Sequence, residues 1–172
     1  INSPPANYPI TASGAVDANY HMSYVPGTMT VNAIPITFNP ISSQAYGSGD
    51  FNAGASGGTI TYTSSNLAVA TIVSGKVHIA GAGNTIITAN NGSTSAQQTL
   101  TITPVPLTIT ASSATKTYGS ANPALTVSYS AFVNGDGPAS LSTPPTVSTV
   151  AVTGSAVGTY TTTASGAASP NY

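Results

Sequence analysis

The chain has 172 residues, of which only Lys76, Lys116, Asp17, Asp50 and Asp136 are charged, 3% against roughly 25% in an ordinary soluble domain. With no Arg and a net charge of −1 it has little to neutralise phosphates, and it holds no run of roughly 18 apolar residues, so it predicts neither nucleic-acid binding nor membrane insertion. Glu and Arg are missing while 27 Thr stand among many Val and Ile, a composition that forms strands rather than long helices.

Taken in order, the predicted elements are short and alternate apolar with polar residues. His21–Val31 reads as two short strands around the Pro26-Gly27 turn. Further runs of period two are Thr59–Thr63, Lys76–Ile79, Thr99–Thr103, Leu107–Thr110, Leu125–Tyr129 and Val147–Val150. Thr on the outer face suits a strand, because its branched Cβ fits the pleated surface. Turn-forming clusters separate the runs at Ser48-Gly49-Asp50, Ser74-Gly75, Asn90-Asn91-Gly92 and Asn134-Gly135-Asp136-Gly137. This pattern predicts an all-β chain built of antiparallel sandwiches. There is no Cys, so packing alone must hold any core.

Two internal repeats organise the chain. Pro35–Phe38 followed by Ala45-Tyr46-Gly47-Ser48 parallels Pro106–Ile109 followed by Thr117-Tyr118-Gly119-Ser120, an offset of about 72 residues. The other repeat is longer. Tyr8-Pro9-Ile10-Thr11-Ala12-Ser13-Gly14-Ala15 matches Tyr160–Ala167, and Asn19-Tyr20 matches Asn171-Tyr172, at a constant offset of 152. Three units follow: 1–32 as the closing strands of a sandwich, 33–104 as a complete sandwich, and 105–172 as the body of a sandwich without its closing hairpin. The sequence is thus expected to be one period, with an overlap, of a tandem array. The tyrosines at repeated positions (Tyr20, Tyr46, Tyr118, Tyr160 and Tyr172) are expected to fill cores and corners, rings buried and hydroxyls bonded to backbone.

The residues of 105–172 carry a family resemblance. Leu107-Thr108-Ile109-Thr110-Ala111, Lys116-Thr117-Tyr118-Gly119, Asn122-Pro123, Tyr129–Asp136 and Gly158-Thr159-Tyr160 resemble the "mostly bacterial Ig" (MBG) repeat, and Asn19–Val31 resembles its closing signature. Ile60–Ile72 with Gly81–Ala89 is similar to the group 2 bacterial Ig-like repeats. The resemblance implies tandem Ig-like β-sandwiches, the last of them incomplete within the chain, in long bacterial surface proteins, many of them adhesins. It implies no catalytic residues. The chain departs from such repeats in being less acidic.

The chemistry available is sparse. Two His, three Asp and no Cys or Glu give no catalytic arrangement and no metal site, and no cofactor is expected. His78 lies beside Lys76 on one wet strand face. Asn134–Asp136 and Asp17–Asn19 read as Asx turns rather than cation loops. Lys116 reads as a snorkelling surface lysine, with a Lys–Asn isopeptide bond as the alternative.

The function expected is that of a structural repeat in an extracellular or cell-surface bacterial fibre or adhesin stalk, with no enzymatic activity. Pro-marked junctions at Ala33-Ile34-Pro35 and Thr103-Pro104-Val105-Pro106 limit swivelling. The partner is another copy of the chain, head to tail, with Tyr20, Met22, Tyr24, Val25, Met29 and Val31 completing the sandwich begun by the preceding copy. The alternative is a carbohydrate- or surface-binding Ig-like module that takes surface glycans through the loops carrying Phe51, Asn134 and Asp136.

Overall fold

The computed structural model describes residues 3–172. Its first two strands, β1 (Ala6–Ile10) and β2 (Gly27–Val31), pair antiparallel, with Ala6 opposite Val31, Tyr8 opposite Met29 and Ile10 opposite Gly27. Cross-strand partners share a face, so Tyr8, Ile10, Met29 and Val31 form an apolar stripe. The other face is polar, and Thr30 Oγ1 donates to Asn7 Oδ1 at 2.8 Å. The stripe is largely uncovered: Ile10 and Met29 are each 55% exposed. Here the structure departs from expectation. His21–Pro26 forms no strand, and Gly27–Val31 pairs with β1 rather than folding back across Pro26-Gly27. Pro26 brings no N–H to such a ladder, whereas the alternation of Tyr8 and Ile10 against Met29 and Val31 supplies a matched partner strand.

The middle of the chain holds β3 (Gln44–Ala45), β4 (Thr61–Ser64), β5 (Ala70–Val73), β6 (Lys76–Ile79), β7 (Gly83–Asn90) and β8 (Ser95–Thr103). Four of them form one sheet in the order β3-β8-β7-β4, antiparallel except for the parallel β3–β8 pair. β5 and β6 form a hairpin closed by Ser74-Gly75, both with positive φ, as a two-residue turn between right-twisted strands requires. Phe51 bridges to Val77 and extends this second layer. Period two decides which side chains are buried. Along β7, Thr85, Ile87 and Ala89 point inward, and along β8 Leu100 and Ile102 do. They meet Phe38, Val69, Val77 and Ile79 in the core. Thr85 is the one polar member, and its hydroxyl lies 2.8 Å from Ser64 Oγ and accepts from Asn66 N at 3.0 Å.

The last third holds β9 (Ile109–Ala111), β10 (Val127–Tyr129), a 3₁₀ turn at Pro138–Ser140, β11 (Thr146–Thr149) and β12 (Thr162–Ser165). β9 pairs with β10 and β11 with β12. The chain is therefore all-β, as its composition predicts. The core of fully buried side chains lies in the middle segment, and among the described residues no side chain of 3–32 or 105–172 reaches that degree of burial. Among the described residues, no helix is long and apolar enough to cross a membrane.

Candidate functional site

Two features of the last third stand out, a polar joint with the middle segment and an open cleft. The joint is built on the Asn134-Gly135 turn, where both residues have positive φ, 57° and 75°. The turn, closed by Asp136 N donating to Val133 O at 3.0 Å, carries the Asp136 carboxylate toward β3. There Tyr46 and Tyr172 both donate to Asp136 Oδ2 at 2.9 Å, and Asn134 Nδ2 donates to the Tyr46 hydroxyl at 3.2 Å. The rings continue the contact: Tyr46 meets Tyr172 edge-on at 5.8 Å, and Tyr172 meets Phe132 edge-on at 5.3 Å. Asn171 adds backbone ties. Its Oδ1 accepts from Ala82 N at 2.8 Å and its carbonyl from Val105 N at 3.0 Å. Burial works to raise the Asp136 pKa, but hydrogen bonds from Tyr172, Tyr46 and Ser140 outweigh it and hold the carboxyl below its ordinary value. Burial raises the pKa of Tyr46 and of Tyr172, with the charge of Asp136 adding to it. Gly47 makes the approach close, since a Cβ built there would lie 2.7 Å from Val133 Cγ2.

The cleft, about 330 Å³, lies between residues 114–125 and 149–162. Leu125 and Val157 give it apolar walls, and Tyr118 and Tyr160 stand at its sides. Lys116 Nζ spans it, donating to Val152 O at 2.6 Å and Ser120 O at 3.1 Å, and Asn122 Nδ2 donates to Ala151 O at 2.6 Å. Gly158, Thr159 and Tyr160 line one wall. They belong to no strand, and no backbone hydrogen bond to another main-chain group is present for them among the described residues.

Residues 107–172 match the MBG domain (YGX type) family, and residues 45–93 match the intimin immunoglobulin-like domain family. Both are families of bacterial Ig-like repeats, matched one after the other along the chain. No curated protein and no solved structure matches it. In this frame the joint lies between the intimin-like segment, which carries Tyr46, and the MBG domain, which carries Asp136 and Tyr172. The cleft lies wholly within the MBG domain.

The structure also shows the 152-residue repeat as shared local geometry. The Tyr8 hydroxyl donates to Pro4 O at 2.6 Å, and Tyr160, its counterpart in the MBG domain, donates to Ala156 O at 3.0 Å. Gly14 and Gly166 both take positive φ, 89° and 80°. Asn19 N donates to Asp17 Oδ1 at 2.7 Å, and Asn171 N donates to Ser169 Oγ at 3.2 Å. Residues 4–20 and 156–172 thus share these three local features. Their surroundings differ: Tyr172 is packed in the joint, whereas Tyr20 is 73% exposed.

The residues expected to complete a neighbouring copy lie on the surface here. Met22, Tyr24, Val25 and Met29 are exposed, Val31 is half-buried, and the Tyr24 hydroxyl is tied to Ala15, donating to its carbonyl at 2.9 Å. Of the expected ligand loops, Phe51 exchanges both backbone hydrogen bonds with Val77 and packs on the core, while Asn134 and Asp136 serve the joint. Tyr20, Tyr118 and Tyr160 correct the expectation for repeated tyrosines: they are 73%, 68% and 37% exposed, and no second unit stands over Tyr118 as Asp136 stands over Tyr46. His78 Nδ1 lies 2.8 Å from Asp50 Oδ1 on the surface. Among the described residues no group of three or more His, Asp, Cys or Glu converges as a metal site would require. Sequence reasoning missed the joint. The signals were present in the Asn-Gly-Asp turn and the Asn-Tyr pair, but nothing local says that they meet Tyr46.

Proposed function

We propose that this chain is a structural repeat of an extracellular bacterial surface fibre or adhesin stalk, divided into units at 1–32, 33–104 and 105–172, whose task is to hold something at a distance. The observation that carries this reading is the joint. A carboxylate held by two tyrosine hydroxyls, one from each side, with three aromatic rings in sequence and a glycine approach too close for a Cβ, resists swivelling between the units. The Pro104 and Pro106 connection works in the same direction, because proline fixes φ. The rod propagates by head-to-tail completion, each copy supplying closing strands to the MBG domain of its neighbour. Scarcity of charge favours close lateral packing, because little self-repulsion opposes it. The two matched families, both Ig-like, agree with a surface or adhesin-type module and offer no catalytic constellation to carry over.

The test is the relative motion of 33–104 and 105–172 in solution, read from residual dipolar couplings. A single alignment tensor for both segments is expected. Two independent tensors would remove the rod reading.

A further inference from the structure

We infer that Gly158–Thr162 is an acceptor edge for a β-strand, and that its occupant is the Gly27–Val31 segment of a neighbouring copy of this chain. The inference deepens the rod reading, on which it rests for the supply of a neighbouring copy, by naming where completion occurs and in what register. It follows from joining two observations. Residues 4–20 and 156–172 share local structure at an offset of 152. In the first of these segments, Ala6–Ile10 is covered by Gly27–Val31. Of the corresponding stretch in the second, only Thr162 is paired, with Thr149 at the start of β12; Gly158–Thr161 belongs to no strand, and Gly158–Tyr160 has main-chain donors and acceptors free to pair.

Carrying the observed register across fixes the pairing. Val31 of the incoming strand stands opposite Gly158, Met29 opposite Tyr160, and Gly27 opposite Thr162. Gly158, Thr159, Tyr160 and Thr162 all line the cleft, so the incoming strand lies along that wall, over the cleft that Leu125 and Val157 also line. Gly158 leaves room for the branched Val31 side chain, and Thr161, which corresponds to Pro9, has an N–H that Pro9 lacks. The strand would run past Lys116 and Tyr118 on the opposite wall and cover the exposed Tyr118 ring. The occupant is chemically suited to this position, because Met29 is an apolar residue that is 55% exposed within its own chain.

The experiment has two arms. In the first, a synthetic peptide of residues His21–Val31 is added to the full 172-residue chain. In the second, a copy of His21–Val31 is appended after Tyr172. Amide exchange at Thr159 and Thr161 is expected to slow at least tenfold in the appended chain, and in the peptide arm at saturating concentration. An appended copy with Thr30→Pro, which removes a ladder donor, is expected to give no protection. The acceptor edge is overturned if neither arm slows exchange, or if a scrambled appendage protects as well as the true one. The rod reading is tested separately, since relative motion of 33–104 and 105–172 is measured on the chain without peptide or appendage.

Discussion

The hydroxyls of Tyr46 and Tyr172 reach the same oxygen, Oδ2 of Asp136, at 2.9 Å each, while their rings meet edge-on at 5.8 Å. One carboxylate oxygen thus gathers donors from two adjacent units, on tyrosines 126 residues apart in sequence. The Tyr172 hydroxyl also lies 3.2 Å from Val133 O. A hydroxyl has one proton, so it can satisfy the carboxylate or the carbonyl but not both, and the carboxylate is the stronger acceptor. Replacing Asp136 by Ala therefore affects the two tyrosines unequally. Tyr172 turns to Val133, whereas Tyr46 keeps only the contact from Asn134. The expected cost is about 1.5–3 kcal/mol, in the range of a hydrogen bond to a charged group. A urea titration followed by tyrosine fluorescence checks it, and an unchanged midpoint would show that the network adds nothing to stability.

The same network predicts a pH profile. The folded pKa of Asp136 lies below its ordinary value, so its contribution is present above the ordinary carboxylate range and is lost as pH falls through the folded pKa. The folded pKa values of Tyr46 and Tyr172 lie above the ordinary 10.0, so their contribution is complete below that value and fades as pH rises through the folded pKa. Thermal melts are expected to be flat around neutrality and to fall on both flanks. Asp136→Asn should flatten the acid flank, and an acid flank of unchanged depth in that variant would show that Asp136 does not produce it.

Gly47 offers a steric test of the joint. It has a φ of 85°, and a Cβ there would sit 2.7 Å from Val133 Cγ2 and 2.8 Å from Val133 Cβ. Gly47→Ala introduces both a left-handed conformation that costs roughly 1–2 kcal/mol in a residue with a side chain and a clash with Val133. Pairing it with Val133→Ala removes part of the clash but leaves the backbone strain. A double-mutant cycle should show a favourable coupling of about 1 kcal/mol between the two changes. Strict additivity would mean that the two residues do not touch in solution.

Asn91 is a further anchor, with its carboxamide fully engaged. Its Nδ2 donates to Gly57 O at 2.6 Å and Ile34 O at 2.9 Å, and its Oδ1 accepts from the amides of Ser93 and Thr94, each at 2.9 Å. It fastens the Ile34-Pro35 connection to the turn between β7 and β8. Asn91→Ala leaves these groups without that partner and is expected to cost about 1–3 kcal/mol. Asn91→Asp keeps the acceptor for Ser93 and Thr94 but turns a carboxylate oxygen on the carbonyls of Gly57 and Ile34, and is expected to cost at least as much. Chemical denaturation of both variants measures the difference, and a smaller loss for Asn91→Asp would mean that the two donated bonds matter less than the accepted ones.

Much of the fold was legible because period two is a local signal. The alternation at Lys76–Ile79 and Thr99–Thr103 gave both the strands and their inward residues, Val77, Ile79, Leu100 and Ile102, and Ser74-Gly75 marked a hairpin. The joint was not legible, because periodicity tells which face is apolar and not what covers it. Tyr46 and Tyr118 make the point. Both sit in Tyr-Gly-Ser, yet one is 4% exposed and the other 68%. The difference lies in the neighbouring unit, which stands over the first and not the second. The β1–β2 register was hidden for a related reason. Pro26-Gly27 is a good turn signal, but a turn forms a hairpin only where both flanks find matching partners, and Gly27–Val31 found them in Ala6–Ile10.

That register leads to the last prediction, an order of local stabilities. β7 and β8 share an eight-residue register, and their inward side chains lie in the buried core, so their amides should exchange only through global unfolding. β1 and β2 form a sheet of two strands among the described residues, with an apolar face left open. A two-stranded hairpin without such cover is only marginally stable in water. The amides of Met29 and Val31 should therefore exchange by local opening, orders of magnitude faster than those of Ile87 and Leu100, with β9–β12 between the two. Leu100→Ala, at a fully buried position, should lower global stability by about 2–5 kcal/mol and speed exchange in β7 and β8 accordingly. It should leave Met29 unchanged, because opening of the hairpin does not involve that core. Parallel acceleration of Met29 and Ile87 in this variant would show instead that the hairpin unfolds together with the middle segment as one cooperative unit.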